Sequence, residues 1–313
     1  MNGPSCVRAQ GCSAMREVIT FDVFTERPFL GNPLAIVPQA DGLSTAQMQT
    51  LARELNLSET IFVMRPENPA HSARVRIFYP KAEIPFAGHP TIGCAIYLSG
   101  LAETARDATV ELVLEQPAGP VPVTVRATGG KISAEFTAPR LPVQGRVIED
   151  IALTARALGL KASDIGNAIC ARPEVWQAGP SYLLVPVATQ AALAQCWPAG
   201  ADWDRLTAQA GTISAWLFVP QAADAFRARM FSPAGGTPED PATGSAVVTF
   251  SGLLAQRGYL DGQAAPEIRV TQGVEMGRRS EIMARAIMQR GKLGAVRIGG
   301  SAVHISTGQI RIP

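Results

Sequence analysis

Between Val18 and Val37 the side chains alternate. Val18, Thr20, Asp22 and Phe24 interleave with Ile19, Phe21 and Val23, and Arg27-Pro28-Phe29-Leu30-Gly31-Asn32-Pro33 then turns the chain into Leu34-Ala35-Ile36-Val37. Period-two alternation broken by Pro and Gly predicts a hairpin with a long loop. The period then changes. Ser44 with Gln47 three residues on is a capping-box signature, and Met48, Leu51, Ala52 and Leu55 form one stripe at helical spacing. A helix from about Ser44 to Leu55 follows. Strands are predicted at Glu59–Met64, Ala73–Tyr79, Ala108–Glu115, Val121–Thr128 and Lys131–Thr137, bounded by Pro, Gly and Asn and mostly antiparallel.

Pro139-Arg140-Leu141-Pro142-Val143-Gln144-Gly145 interrupts this pattern and predicts a linker. Beyond it the pattern gives a helix at Ile148–Leu158, a strand at Tyr182–Val187 and a short helix at Ala188–Gln195. Strands follow at Ile213–Val219 and Arg227–Phe231, and Val296–Ile312 alternates like strands. The expected organisation is a domain over 16–140 and a second over 141–313, whose last strand crosses to the first. Residues 1–15, with Arg8 but no apolar core, read as a disordered extension rather than a secretory signal, with Met15 an alternative start.

The two halves repeat. Arg76-Ile77-Phe78-Tyr79-Pro80 returns as Arg229-Met230-Phe231-Ser232-Pro233, and His89-Pro90-Thr91-Ile92-Gly93-Cys94-Ala95 lines up against Asp240-Pro241-Ala242-Thr243-Gly244-Ser245-Ala246. Ser99-Gly100-Leu101 matches Ser251-Gly252-Leu253 in the same order. Such ordered matches at nearly one offset predict two copies of one unit. Thr91–Leu101 and Thr243–Ala255 are apolar almost all round, which on a helix means burial on every side, as inside a strongly curved sheet. Pro90 and Pro241 suit a helix's first turn, and His89 and Asp240 are the expected N-caps.

Composition narrows the function classes. A length of 313 residues fits two domains, and 47% hydrophobic with 17% charged residues excludes a disordered chain. Glycine (29) and proline (24) are enriched, favouring turns and short strands. A net charge of +2 gives no field to gather nucleic acid or an anionic membrane, and no apolar run reaches the roughly 18 residues of a membrane span. Cys6, Cys12, Cys94, Cys170 and Cys196 are an odd, scattered set that fits reduced thiols in the cytoplasm rather than disulfides or zinc.

The expected chemistry lies at the two helix starts, where free N–H groups and a partial positive charge suit a carboxylate or phosphate. Gly88, Gly93 and Gly244 permit close backbone approach there. A Gly-Pro loop alone is commonly a plain connection; its duplication points to a shared cleft between the halves. Glu59, after Ser58 on the apolar strand Ile61-Phe62-Val63, is either a solvated loop end or a carboxyl whose pKa is raised by desolvation for acid–base work. Of three histidines, His71 sits in a polar turn, His304 on a late strand, and His89 at a helix start. No pair has metal-ligand spacing. Asp240 is an N-cap or a functional acid. Ser245 lacks the G-x-S-x-G context of a nucleophile and reads as a hydrogen-bond donor. Neither a P-loop nor a strand-borne G-x-G-x-x-G is present, so a reaction without cofactor or metal is expected.

Phe21-Asp22-Val23-Phe24-Thr25, Phe29-Leu30-Gly31-Asn32-Pro33-Leu34-Ala35, Leu57-Ser58-Glu59-Thr60-Ile61-Phe62, Phe86-Ala87-Gly88-His89-Pro90-Thr91-Ile92-Gly93 and Asp240-Pro241-Ala242-Thr243-Gly244-Ser245 together resemble the PhzF-like isomerase family of phenazine biosynthesis. The resemblance implies an α+β, diaminopimelate epimerase-like fold: two pseudo-symmetric domains, each an antiparallel β-barrel around a central helix, with the site between them. It implies a cofactor-free isomerase that moves a proton within a small carboxylate-bearing substrate, and a homodimer. Glu59, His89 and Asp240 match the family's catalytic positions. Gly88, Thr91, Gly93, Gly244 and Ser245 match its substrate-binding loops. The paired cysteines of related racemases have no counterpart at Ala87, Pro241 or Ala242, and Cys94 reads as packing. Two alternatives stay open: an amino-acid racemase or epimerase, and a non-catalytic binder of small acids.

Overall fold

The computed structural model describes residues 15–103, 106–260, 262 and 264–313, so the extension expected over residues 1–14 lies outside it. Met15, expected to belong to that extension, instead opens β1 opposite Arg311.

In the first half β1 (Met15–Val23) and β2 (Asn32–Val37) form the predicted antiparallel hairpin. Gly31 closes its loop at φ +71, where a Cβ would lie 2.3 Å from the Val23 carbonyl oxygen, so glycine is required there. α1 (Thr45–Leu55) begins with the predicted capping box. Gln47 N donates to Ser44 Oγ at 3.2 Å, and Ser44 N donates to Gln47 Oε1 at 3.0 Å. Next come β3 (Glu59–Met64), β4 (Ala73–Phe78), the short β5 (Glu83–Ile84), α2 (Gly88–Ser99), β6 (Ala108–Gln116), β7 (Gly119–Thr128) and β8 (Lys131–Thr137).

The second half contains β9 (Val143–Val147), α3 (Ile151–Ala157), β10 (Glu174–Gln177), β11 (Ser181–Pro186), α4 (Gln190–Gln195) and α5 (Gly200–Ala210). It continues with β12 (Ala215–Pro220), β13 (Ala225–Ser232), β14 (Thr237–Asp240), α6 (Gly244–Gln256), β15 (Glu267–Gln272), β16 (Ser280–Gln289) and the 20-residue β17 (Lys292–Arg311). Sequence pattern did not single out β10, α5 or β14–β16. Part of the expected linker is strand β9, paired with β10.

The strands β1-β2-β3-β4-β6-β7-β8-β17 pair in that order, and β17 returns to β1, which closes a barrel of eight. The barrel is mixed rather than wholly antiparallel. β2–β3 and β4–β6 are parallel because each connection crosses over, through α1 and α2 respectively. From β10 the order of parallel and antiparallel pairings is the same: β10-β11-β12-β13-β15-β16-β17. β17 pairs with β16 and β8 through its first half and with β1 through its second.

α2 runs inside the barrel, touching β1, β2, β3, β6, β7, β8 and β17. Its residues Gly88 to Ile96 are all buried, as the lack of a polar face predicts. α6 is buried likewise from Ala246 to Leu254, against β9, β10, β11, β16 and β17. The expected N-caps His89 and Asp240 are not the caps. Ala87 and Thr243 occupy those positions, neither with a side-chain capping bond, so Gly88 and Gly244 are the first helical residues. His89 is thus already inside α2, whereas Asp240 ends β14.

Candidate active site

The starts of α2 and α6 meet almost head to head. A methyl placed on Gly88 would come 3.5 Å from Gly244 Cα. Beside this contact lies a cavity of about 230 Å³ whose wall includes Glu59, Gly88, His89, Tyr182, Asp240, Gly244 and Ser245. Among the described residues no lysine or arginine lines it. Two carboxyl groups, an imidazole and two helix starts therefore dominate its electrostatics.

Glu59 is the first residue of β3, so the strand carries it at the rim while the five residues after it are buried. Its side chain keeps 20% of its surface exposed, and its Oε2 lies 3.1 Å from His89 Nδ1. Loss of water, followed by the negative charge of Asp240, raises its pKa well above the usual carboxylate value. His89 is 4% exposed, and the same loss of water pushes its pKa down to about 3. At neutral pH the imidazole is uncharged.

Asp240 receives three side-chain hydrogen bonds: from Thr243 Oγ1 at 2.6 Å, Asn32 Nδ2 at 2.9 Å and Ser58 Oγ at 3.3 Å. Burial nevertheless raises its pKa to about 6, since these donors offset only part of the desolvation. Asp240 is the better supplied with donors, which favours the charge there and the proton on Glu59. Thr243 is itself set by Gln272, whose Nε2 donates to it at 2.9 Å and whose Oε1 accepts from Trp216 Nε1 at 2.9 Å. Ser245, second residue of α6, lies 2.7 Å from the Tyr182 hydroxyl, and burial raises the pKa of that phenol.

The structure brings Glu59, His89, Gly88, Asp240, Gly244 and Ser245 to one cavity. It does not bring Thr91 or Gly93 there. Thr91 is wholly buried, donating to the Ala87 carbonyl at 2.7 Å and accepting from Gln116 Nε2 at 2.8 Å. Gly93 packs α2 on the barrel wall, where a Cβ would come 2.5 Å from Leu34 Cδ2. Neither of these two expected substrate-binding residues lines the cavity; both make packing contacts inside the protein. Cys94 is also core, with its thiol pushed up to about 12 by burial. Among the described residues no group of three His, Cys, Asp or Glu could hold a metal ion.

Asn32, Thr243 and Tyr182 are polar neighbours that sequence did not assign. Asn32 stood in a quoted motif but read as a turn residue, and Tyr182 carries no local signal.

A second buried glutamate, Glu174, opens β10 with only 2% of its side chain exposed. It pairs with Arg257 and accepts from Gln144 Nε2 at 2.9 Å and Trp176 Nε1 at 3.1 Å. It is not among the residues lining the cavity.

The family model described as phenazine biosynthesis-like protein (PhzC-PhzF) matches residues 21–308. A protein of Mesorhizobium japonicum named only as an uncharacterized isomerase is 39% identical over 308 residues, covering 95% of this chain and 99% of its own. The trans-2,3-dihydro-3-hydroxyanthranilate isomerase of Pseudomonas aeruginosa is 37% identical over 301 residues, covering 94% and 99%. The crystal structure of a PhzF-family phenazine biosynthesis protein from Bacillus anthracis superposes with a TM-score of 0.83 at 24% identity, over 96% of this chain and all of that one. The protein is an isomerase. More particularly, it belongs to the phenazine biosynthesis-like PhzC/PhzF family.

Proposed function

We propose that the protein moves a proton between two carbons of a small, conjugated, carboxylate-bearing substrate, with Glu59 as the acid–base group. One observation carries this reading: a carboxyl whose pKa burial and Asp240 push upward, 3.1 Å from an uncharged imidazole, on the wall of a cavity between two helix starts. The protonated carboxyl gives its hydrogen to one substrate carbon; a C–H bond forms, the O–H bond breaks, and the double bonds shift. The resulting carboxylate takes a proton from another carbon, so the O–H is restored and nothing is gained or lost overall. His89 Nδ1 stabilises either protonation state of Glu59.

The first-turn amides of α2 and α6, at Gly88, His89, Gly244 and Ser245, have no preceding-turn carbonyls to bond and would hold the substrate carboxylate. Supporting this, the wall offers no basic side chain for that task. Asp240 holds a charge that disfavours a second one on Glu59, and Ser245 with Tyr182 offers hydroxyl hydrogens to a substrate oxygen or nitrogen.

The same reading takes the molecule as two related barrel units over 16–140 and 141–313. Its support is the repeated order of strand pairings and the facing of Gly88 and Gly244. A homodimer, checked by sedimentation, and a cytoplasmic location belong to this proposal.

The test is deuterium incorporation from ²H₂O into the compound in the Pseudomonas relative's name, trans-2,3-dihydro-3-hydroxyanthranilate, and into other cyclic unsaturated acids. Glu59→Gln should abolish it; undiminished exchange would remove Glu59 from the reaction. Deuterium confined to the Cα of amino acids would favour a racemase, and binding without exchange a non-catalytic binder. The deeper burial of Glu174 favours a second reading, in which that residue is the acid–base group. Loss of exchange in folded Glu174→Gln, with Glu59→Gln active, would establish it.

A further inference from the structure

Asn32 is fully buried and lies on β2, while the two acceptors of its amide, Asp240 and Ala242, lie at and just after the end of β14 in the other half of the chain. An amide nitrogen has two hydrogens. Both are committed: Nδ2 donates to Asp240 Oδ1 at 2.9 Å and to the Ala242 carbonyl at 3.0 Å. None remains for His89 Nδ1, 3.4 Å away. That ring nitrogen faces Glu59 Oε2 at 3.1 Å, where it can accept the carboxyl hydrogen or donate its own, and the Pro33 backbone is a further hydrogen-bond partner of the ring.

Turning the amide over would set its carbonyl oxygen against a carboxylate and a carbonyl, so the two acceptors fix its orientation. Asn32 Oδ1 is buried without a hydrogen-bond partner, a penalty that a residue present only for packing would not need to carry. The backbone beside it is held from the far half: Gly31 N donates to the Arg279 carbonyl at 3.0 Å, and Arg278 Nε donates to the Gly31 carbonyl at 3.0 Å. The amide thus has little freedom to follow a wandering acceptor.

We propose that Asn32 is a positioning residue: by directing both amide hydrogens at Asp240 and Ala242 it holds the negative charge on Asp240 and leaves the exchangeable proton with Glu59 and His89. This inference rests on the acid–base reading above. The titratable groups on the wall around the cluster are Glu59 from β3, Tyr79 just after β4, His89 from α2, Asp240 from β14 and the Tyr182 phenol from β11; the hydroxyls of Ser58 and Thr243 complete the side-chain donors to Asp240. Replacing Asn32 by an isosteric apolar side chain removes one of the three side-chain donors to that carboxylate without adding a charge. Asp240 should then compete with Glu59 for the proton.

The experiment follows the carboxyl carbons of [¹³C]Asp- and [¹³C]Glu-labelled full-length protein by NMR against pH, with Asp240→Asn assigning the signal, together with the pH profile of kcat/KM for deuterium exchange. In Asn32→Leu the Asp240 midpoint should rise by about 1 pH unit, and the acidic limb of the profile should move with it. Asn32→Ser, whose short hydroxyl spans neither acceptor, should give the same direction if the leucine variant fails to fold. In the wild type the Asn32 side-chain N–H signals should shift with the Asp240 midpoint, a reading that needs no variant. An unmoved midpoint in a folded variant, or wild-type amide signals that ignore the titration, overturns the proposal. If Glu59→Gln keeps exchange while these shifts appear, the acid–base reading fails and the Asn32–Asp240 linkage stands; if Glu59→Gln is inactive and the shifts are absent, only the role of Asn32 fails.

Discussion

Glu59 and Glu174 each open a strand and are each largely withdrawn from water, yet their surroundings differ in kind. Glu174 meets a guanidinium, an indole N–H, an amide and a thiol. Glu59 meets one imidazole and, close by, a second carboxyl. Depth of burial does not make an acid. What prepares a carboxyl for proton transfer is a shortage of donors, a like charge nearby and an open path to substrate, and the less buried of the two has all three.

The most direct way to break this contrast is to remove each acid in turn. Glu59→Gln should lower turnover by roughly 10²–10⁴ while leaving the urea midpoint at neutral pH unchanged or raised, since a neutral amide replaces a carboxyl crowded by Asp240. Exchange kinetics and urea melts on the same sample check both halves. A folded variant within tenfold of wild-type rate would dissolve the distinction.

The pH dependence of stability should show the cavity groups pulling in opposite directions. The folded pKa of His89 is depressed, from 6.5 to about 3. Its contribution is therefore present above pH 6.5 and lost as pH falls toward 3, by about 5 kcal/mol at 1.36 kcal/mol per unit. The folded pKa of Asp240 is raised, from 3.8 to about 6. Its contribution is present below pH 3.8 and lost as pH rises through 6, by about 3 kcal/mol. Urea titrations from pH 4 to 7.5 should show His89→Gln losing the acid-side decline and Asp240→Asn losing the neutral-side one. Curves that stay parallel to wild type would mean that neither group is as desolvated as the cavity implies.

Glu174→Gln sharpens the contrast from the other side. Arg257 and the Trp176 indole lose a charged acceptor, and about 1–3 kcal/mol of stability should go with it, the guanidinium being partly hydrated. Turnover per folded molecule should stay within about twofold, because no residue of the cavity wall is touched. A loss of turnover matching that of Glu59→Gln would transfer the acid–base role to Glu174.

Much of this was legible locally. The capping box of α1, the first hairpin and strands β3, β4 and β6 to β8 follow from period and turn chemistry, and the all-apolar α2 and α6 from their lack of a polar face. Longer-range partnerships were not. The match of His89-Pro90 to Asp240-Pro241 hid the fact that the first helical residues are Gly88 and Gly244, because α6 starts after its Pro-Ala-Thr segment while Pro90 lies inside α2. Tyr182 reaches Ser245 only through strand order, and Asn32 reaches Asp240 across 208 residues. β14–β16 escaped because short or charged strands such as Glu267–Gln272 take their stability from neighbours rather than from composition.

Thr91 gives the smallest and most discriminating effect. Family resemblance placed it with substrate; the structure places it with Glu174, among polar groups whose bonds are satisfied inside the protein. Its hydroxyl closes onto the Ala87 carbonyl and receives Gln116 Nε2, an amide already buried with an unpartnered oxygen. Thr91→Val keeps the shape of the side chain and deletes only that hydroxyl. Stability should fall by about 1 kcal/mol, the worth of an ordinary internal hydrogen bond, with KM and kcat for exchange both within about twofold of wild type. A substrate ligand would behave in the opposite way, with KM raised tenfold or more and the urea midpoint unmoved. Because the α2 start is also fixed by packing, at Gly93 against Leu34 and Val23, loss of one hydroxyl should leave the helix-start amides where they are.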